Sequence, residues 1–468
     1  LNNFVEERSL KFIAEACGAE MKNGAVETKI KNVCTDSRHA KAGDLFFALS
    51  GENFDGHDFL EEVAKKKVAA IVIEKSKVQS SKSKVFSDVA TLIVKDARAA
   101  FGKLAAAYRQ DFDLPIIAVG GSNGKTTTKE LIASVLRQKF STLASEASFN
   151  NDVGVPTTLL KLEKSHEAAV MEVGTNHPGE LAPLVKMISP DFGVITNIGR
   201  EHLEFFGDVA GVAREEGWLA ELLPADGKLF LNGDNEWSEK IAARTKAKII
   251  RVGFGEKNDW CAEKIRLDKN GVTFFIKTLD EKFNGEFRIN LLGKHQVTNG
   301  LLAIAVGAEM NLTRTEIEKG LLECKPPKMR MQFWEANGVR VLDDAYNANA
   351  DSMIAALETL CELPLQGRRV AVLGDMAELG AHSDAAHAEI GRRAAELKIG
   401  QLFAVGKNAA ITARAARDAG LTRVMEFVEV EDAMRTIKNF LKTGDVVLLK
   451  ASRSSRLERI AEVLKAEK

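Results

Sequence analysis

The five cysteines of this chain, Cys17, Cys34, Cys261, Cys324 and Cys361, are odd in number, scattered and never in CxxC spacing. That excludes a disulfide framework and leaves reduced structural thiols as the reading. No apolar stretch approaches the ~20 residues needed to span a bilayer. The opening LNNFVEERSLKF lacks the basic and apolar segments of a secretory signal, so a cytoplasmic protein without membrane association is expected. Charge of one sign is also missing: 65 basic residues stand against 66 acidic ones. No global field therefore favours nucleic acid or an anionic membrane, and an anionic ligand must be held locally. Repeats and low-complexity tracts are absent too. What is present is 468 residues, 45% hydrophobic and 28% charged. That is a globular composition on a chain long enough for two to four domains.

The predicted fold class is α/β in three domains. Residues 1–98 mix a short helix (LKFIAEACGA), β-like segments (AGDLFFALSG, VAAIVIE) and a Ser/Lys-rich loop (KSKVQSSKSK), and DARAAFGKLAAAYRQ continues as a helix. Across 99–326, apolar strands IIAVGG, AAVMEVG, FGVITNIG, KLFLNGDN and AKIIRVGF alternate with helix-period segments such as KELIASVLRQKF. This alternation predicts a mostly parallel sheet carrying a phosphate loop. Residues 260–290 break the rhythm with shorter alternating segments, which predicts an antiparallel patch. KPPK at 325–328 marks a boundary, and 327–468 reads as a smaller Rossmann-like α/β domain around RRVAVLGD, QLFAVG and DVVLLKAS.

The chemistry concentrates in VGGSNGKTTTKE, residues 119–130, directly after LPIIAV. Glycines let backbone N–H groups turn toward a phosphate, and the following helix N-terminus adds partial positive charge. Lys125 supplies a full charge for the outer phosphates and Thr126 a hydroxyl for Mg²⁺. The usual phosphate-loop spacing would put glycine where this chain has Val119, so the loop is a shortened one. Glu172 in VMEVGTNHPGE and His202 in ITNIGREHLEFFG follow buried-looking strands, where ligands gather in open α/β sheets. Alone, each has an ordinary structural explanation; beside a phosphate loop, Glu172 reads as the natural magnesium partner of Thr126, and His202 as the less expected one because Mg²⁺ prefers oxygen. Further on, Arg330 could reach a transferring phosphoryl group, and Asp343 or Asp344 could hold ribose hydroxyls.

Together GSNGKTTTKE, FNNDVGVPTTLL, MEVGTNHPGE, ITNIGREHLEFFG, GKHQVTNGLLAIA and DDAYNANADSM resemble the Mur ligases of peptidoglycan synthesis. TDSRHAKAGDLFFALSGENFDGHDF and LLKASRSSRLE extend the resemblance to both ends of the chain. NHPGE and YNAN resemble the branch that joins D-alanyl-D-alanine to UDP-N-acetylmuramoyl-tripeptide. A sister muramyl ligase or a folylpolyglutamate-type ligase is the alternative, though the folate type lacks such an N-terminal domain. A silent nucleotide-binding regulator would have lost Lys125, Glu172 or His202. The resemblance implies ATP and Mg²⁺ as cofactors and an acyl-phosphate intermediate; from the charge balance no nucleic-acid partner is expected, and nothing in the sequence demands more than a monomer.

By that resemblance Gly121, Ser122, Asn123, Gly124, Lys125, Thr126 and Thr127 cradle the ATP phosphates. Asn299 faces adenine, Arg330 the γ-phosphate, and Asp344 and Tyr346 the ribose and phosphate side. Lys125, Glu172, His202 and Arg330 carry the catalytic roles, and Thr126, Glu172 and His202 ligate magnesium. Thr35, Ser37 and Arg38 lie near the uridine nucleotide, Asn150, Asn151 and Thr175 near the muramoyl peptide, and Asn347, Asn349 and Ser352 near the dipeptide. The third domain is expected to close over ATP. Departures from the family pattern are Ala350, Gln296, Ala451 and, most consequentially, Glu216. The family carries there a lysine that CO₂ converts to a carbamate supporting a second magnesium. Glu216 is expected to supply a permanent carboxylate instead; the competing reading is an ordinary charge on an exposed helix face.

Overall fold

Short runs rich in β-branched residues, bounded by turns, become the strands of this protein. They are seen in a computed structural model that describes residues 6–51, 53–78, 89–364 and 366–466. The chain forms two compact units. One comprises Leu1–Ala118, Phe140–Thr175 and Glu180–Phe192, the other Val119–Lys139, Asn176–Gly179 and Gly193–Lys468.

In the first unit a five-stranded sheet runs Glu20–Lys22, Ala90–Val94, Ala70–Glu74, Leu45–Phe47, Val33–Cys34. Only the first pair is antiparallel. AIVI and ATLIV are buried throughout, as central parallel strands covered on both faces require. The helix Ala97–Arg109 starts where the Asp96 side chain accepts from the Ala99 N–H at 2.9 Å. Its Phe101 ring packs 5.1 Å from Phe47. The strand Ala168–Glu172, wholly buried, pairs in parallel with Thr142–Ala144 and ends on Glu172. The expected Ser/Lys-rich loop lies partly outside the described residues.

In the second unit, strands Lys228–Asn232, Lys248–Gly253 and Trp260–Asp268 run parallel. Gly271–Thr278 and Gly285–Ile289 then add as antiparallel strands, as the change of rhythm at 260–290 predicts. Helix Lys125–Leu136 packs against helices His295–Glu309 and Arg314–Glu323. The last contact is backbone on backbone: a Cβ on Gly320 would lie 2.5 Å from the Val135 Cα.

Beyond Met331 lies a six-stranded sheet in the order Gln332–Ala336, Val339–Asp344, Val446–Lys450, Arg369–Leu373, Gln401–Val405, Val424–Phe427. All its pairs except the first are parallel. Alternation splits its core in two: Leu342, Leu373, Leu402 and Leu448 fill one cluster, and Val341, Val372, Phe403 and Val447 the other. The α/β class with mostly parallel sheets is therefore as expected.

Candidate active site

The strand Ile116–Gly120 is fully buried, and the chain turns through residues 121–124 into the helix Lys125–Leu136. Gly121 (φ +107°) and Gly124 (φ +84°) hold backbone shapes that disfavour side chains. A Cβ on Gly121 would sit 2.5 Å from the Thr196 hydroxyl and 2.8 Å from the Asn197 carbonyl; one on Gly124 would meet Asn299 Oδ1 at 2.7 Å. The loop is stitched to that neighbouring stretch. Ser122 N–H donates to the Asn197 carbonyl at 2.8 Å, and Asn123 N–H donates to Asn197 Oδ1 at 3.1 Å. A glycine loop locked this way presents the helix N-terminus and its N–H groups as an anion cradle.

Lys125 Nζ donates to the Gly121 carbonyl at 2.5 Å and the Ser122 carbonyl at 3.3 Å, and lies 3.4 Å from Glu201 Oε2. Glu216 ends the helix Val209–Glu216 with no solvent exposure, its Oε2 accepting the Gly121 N–H at 2.6 Å. The exposed-face reading of Glu216 is thereby overturned, because this end of the helix packs on the phosphate loop. Burial pushes the Glu216 carboxyl up to about 7; the Lys125 charge opposes the rise and Glu201 adds to it. Thr126 Oγ1, Glu201 Oε1 and Glu216 Oε1 are buried without a hydrogen-bond partner among the described residues. Orphaned hard oxygens beside an anion cradle suit Mg²⁺, which takes one or two carboxylates together with phosphate oxygens. Among the described residues no three His, Cys, Asp or Glu side chains form a ready-made cage, as that mode of binding allows. Glu201 was not singled out from the sequence. Its one signal was an acidic residue directly before His202.

His202 sits in the left-handed region (φ +48°, ψ +33°). Its Nδ1 faces Glu378 Oε2, and its Nε2 lies 3.9 Å from Glu201 Oε2. The His202 hydrogen bond holds the Glu378 carboxyl below its ordinary range, against the opposing effect of burial. Arg200, two residues earlier, grips Asp351 through its backbone N–H and Nε, both at 2.8 Å, and Glu389 through Nη1 at 2.6 Å.

The remaining residues named from the sequence in this unit are tied to their neighbours. Asn299 donates to Gln296 Oε1 at 2.8 Å, so the departure at Gln296 still holds its neighbour in place. Asn349 and Ser352 form a capping box on the helix Ala350–Glu362, and Asn349 Nδ2 also donates to Asn123 Oδ1 at 2.9 Å. The phosphate loop thus touches the start of that helix. Arg330 lies over the Tyr346 ring, 4.2 Å from its centroid. Asp344 accepts from Lys450 Nζ at 2.5 Å and from the Met331 N–H at 3.0 Å, and Lys450 also donates to the Asn347 carbonyl at 3.1 Å. Burial raises the neighbouring Asp343 carboxyl. A cavity of about 220 Å³ lined by Phe254, Lys294, His295, Ala355, Glu358, Thr359 and Glu362 contains none of the residues named from the sequence.

In the first unit Glu172 is 1% exposed. Its Oε1 accepts from Asn150 Nδ2 at 2.9 Å, while its Oε2 has no hydrogen-bond partner among the described residues. Asn151 Oδ1 accepts the Val153 and Gly154 N–H groups and opens the helix Gly154–Leu159. Thr175 Oγ1 donates to Glu180 Oε2 at 3.2 Å. Ser37 and Arg38 share one turn, with Thr35 half-buried just before it. The Arg38 guanidinium forks onto Asp36 and holds that carboxyl well below the usual range.

Residues 29–109 match the Mur ligase family, catalytic domain; 119–307 match the Mur ligase middle domain; and 329–453 match the Mur ligase, glutamate ligase domain. The chain is 35% identical over 462 residues to the UDP-N-acetylmuramoyl-tripeptide–D-alanyl-D-alanine ligase of Bacillus subtilis, covering 98% of each chain. Its fold is similar to crystal structure I of MurF from Acinetobacter baumannii, with a TM-score of 0.90 and 32% identity over 98% of this chain and 99% of that one. It is also similar to MurF ligase from Thermotoga maritima in complex with ADP, with a TM-score of 0.79 and 26% identity over 92% and 96% of the two chains. A locked phosphate loop with orphaned hard oxygens around it, and likeness along the whole chain, lead to one assignment: this chain belongs to the Mur ligase family.

Proposed function

We propose that this chain is an ATP-dependent amide ligase adding D-alanyl-D-alanine to UDP-N-acetylmuramoyl-tripeptide in peptidoglycan precursor synthesis. The observation that carries it is similarity over 98% of both chains to a ligase of that name, joined to a phosphate loop whose lysine and threonine are in place. A carboxylate and an amine do not condense in water near neutral pH. ATP therefore activates the tripeptide's terminal carboxylate as an acyl phosphate, and the dipeptide's amino group displaces phosphate from it.

The chain's share of this chemistry is positioning and charge neutralisation. In this reading Lys125 leaves its own loop carbonyls for the outer phosphates of ATP, which the N–H groups of residues 121–127 cradle. Asn299 borders the adenine, Arg330 faces the γ-phosphate, and Asp344 and Tyr346 stand at the ribose side. Thr126, His202 and Glu216 are the magnesium ligands of the second unit, with Glu201 beside Glu216; Glu172 is the metal candidate of the first. Magnesium, when bound, neutralises phosphate charge and polarises the transferring group. Thr35, Ser37 and Arg38 serve the uridine nucleotide, Asn150, Asn151 and Thr175 the muramoyl peptide, and Asn347, Asn349 and Ser352 the dipeptide. No helix among the described residues is long and apolar enough to cross a membrane, and we place the enzyme in the cytoplasm as a monomer.

The test is phosphate release with each substrate omitted in turn, using lysine- and diaminopimelate-containing tripeptides. Release that needs both UDP-muramoyl-tripeptide and D-alanyl-D-alanine supports the ligase; ATP binding without such turnover points to a regulator. Glu216 is tested by Glu216→Ala and Glu216→Lys across bicarbonate concentrations. We expect wild-type activity to be bicarbonate-independent and Glu216→Ala to lose magnesium affinity. A Glu216→Ala enzyme with wild-type rate and magnesium affinity removes Glu216 from the site.

A further inference from the structure

Two loops of the second unit meet at a pair of residues in left-handed backbone shapes. His202 has φ +48° and Glu378 φ +59°. For residues other than glycine such a conformation is disfavoured, and it persists only where surrounding contacts impose it. Here contacts between the two loops impose it. The Glu204 N–H donates to the Glu378 carbonyl at 3.1 Å, and His382 Nε2 lies 3.0 Å from the Gly207 carbonyl. A Cβ on Gly380 would already be 3.1 Å from the Glu204 Cα. The two loops are 176 residues apart in sequence at the His202–Glu378 contact, so only the tertiary fold creates the pair.

The pairing selects the tautomer of the neutral imidazole. An ionised carboxylate can only accept, so the Nδ1 facing Glu378 Oε2 carries the proton. A neutral ring then has its lone pair on Nε2. Nε2 is the nitrogen on the side of Glu201, 3.9 Å from its Oε2, and Glu201 in turn lies 3.4 Å from Lys125 of the phosphate loop. His202 is 15% exposed at its side chain and cannot readily reorient. A carboxylate behind a histidine fixes both tautomer and ring orientation toward a cation.

We infer that Glu378 is a positioning residue: it holds His202 with Nε2 bare and turned toward Glu201, the carboxylate beside Lys125, so that the 376–382 loop helps to complete the cation site of the nucleotide-bound enzyme. This rests on the ATP reading above. It adds that a residue of the C-terminal sheet region acts on the cation site through His202.

The test uses the full chain with Mn²⁺ and a non-hydrolysable ATP analogue, reading Mn²⁺ affinity by electron paramagnetic resonance, with ¹⁵N-histidine spectra as a second readout. Loss of an outer-shell partner typically weakens metal binding about 10- to 100-fold, and Glu378→Ala is expected in that range. Glu378→Gln keeps an acceptor oxygen and should stay within a few-fold of the parent. In a His202→Ala background, Glu378→Ala should add less than about twofold. For the neutral His202 ring the ¹⁵N spectrum should show Nε2 unprotonated in the parent and in Glu378→Gln, and a tautomer mixture in Glu378→Ala. Equal damage from Glu378→Ala with and without His202, or from Gln and Ala alike, would mean a structural role and overturn the inference. If the parent binds no Mn²⁺ with the analogue, the ATP reading fails. The nitrogen spectrum then still decides whether Glu378 sets the His202 tautomer.

Discussion

Gly121 and Gly124 make a matched pair for testing the phosphate loop, because the same methyl group meets different obstacles at each. At φ +107°, Gly121 lies beyond even the small left-handed region open to side chains. Forcing alanine there costs about 1–3 kcal/mol of backbone strain. The new Cβ would also stand 2.5 Å from Thr196 Oγ1, 2.8 Å from the Asn197 carbonyl and 2.9 Å from the Thr196 nitrogen. Two of these atoms are backbone and cannot step aside, which adds about 1–3 kcal/mol of overpacking. Gly124→Ala meets the same class of strain at φ +84°, but its nearest obstacle is the tip of Asn299, at 2.7 Å. A side-chain tip can rotate away. Gly121→Ala should therefore lose about 2 kcal/mol or more, roughly 30-fold or more in affinity if the loss falls on nucleotide binding. Gly124→Ala should lose less. Isothermal titration with a non-hydrolysable ATP analogue and Mg²⁺ measures the affinity, and thermal melts separate loop damage from unfolding. A Gly121→Ala protein that binds within threefold of the parent with an unchanged melt refutes the argument. So does a Gly124→Ala protein damaged more than Gly121→Ala.

Three other perturbations follow from the same geometry. Lys450 and Asp344 are 3% and 14% exposed at their side chains and 2.5 Å apart. Lys450→Met should therefore cost about 3–5 kcal/mol in denaturant melts by stranding a buried carboxylate, and adding Asp344→Asn should recover much of it. A double variant no more stable than the single one would show that the pair is uncoupled. Arg200 and Asp351 should show a coupling of about 0.5–3 kcal/mol in a double-mutant cycle, weakened by salt because both are about one-third exposed. A value of zero would mean the grip is incidental. His295 is half-buried, and the desolvation it suffers lowers its affinity for protons below the ordinary 6.5. The unfolded chain then binds more protons than the folded one as pH falls below about 6.5, so stability is full above that value and declines beneath it. Melts from neutral to mildly acidic pH should show this decline, flattened in His295→Asn; an unchanged profile in the variant would assign it to other groups.

The phosphate loop was legible because its information is local. Glycines, lysine and threonines are contiguous, and their backbone preferences act within one turn of helix. The alternating strands and the antiparallel change at 260–290 were legible for the same reason, since burial periodicity is written along each segment. The capping box of Asn349 and Ser352 shows the limit of such reading. The two residues were named for a ligand, yet their side chains are also committed to starting a helix. The role of Glu216 was open: AREEG reads equally as a solvated face, and which way the helix end points depends on what it packs against.

The amino-acid sequence by itself determined the α/β class, the glycine loop that turns a strand into a helix and the family, because each is encoded in short, ordered motifs. It left undecided the partners of those motifs. Glu201 beside Lys125, Glu216 on the Gly121 N–H, Arg200 between Asp351 and Glu389, and Glu378 behind His202 join residues 76 to 189 positions apart. The tertiary structure decided these, since a buried charge is defined by what encloses it, and in this chain the enclosing groups come from distant strands and loops.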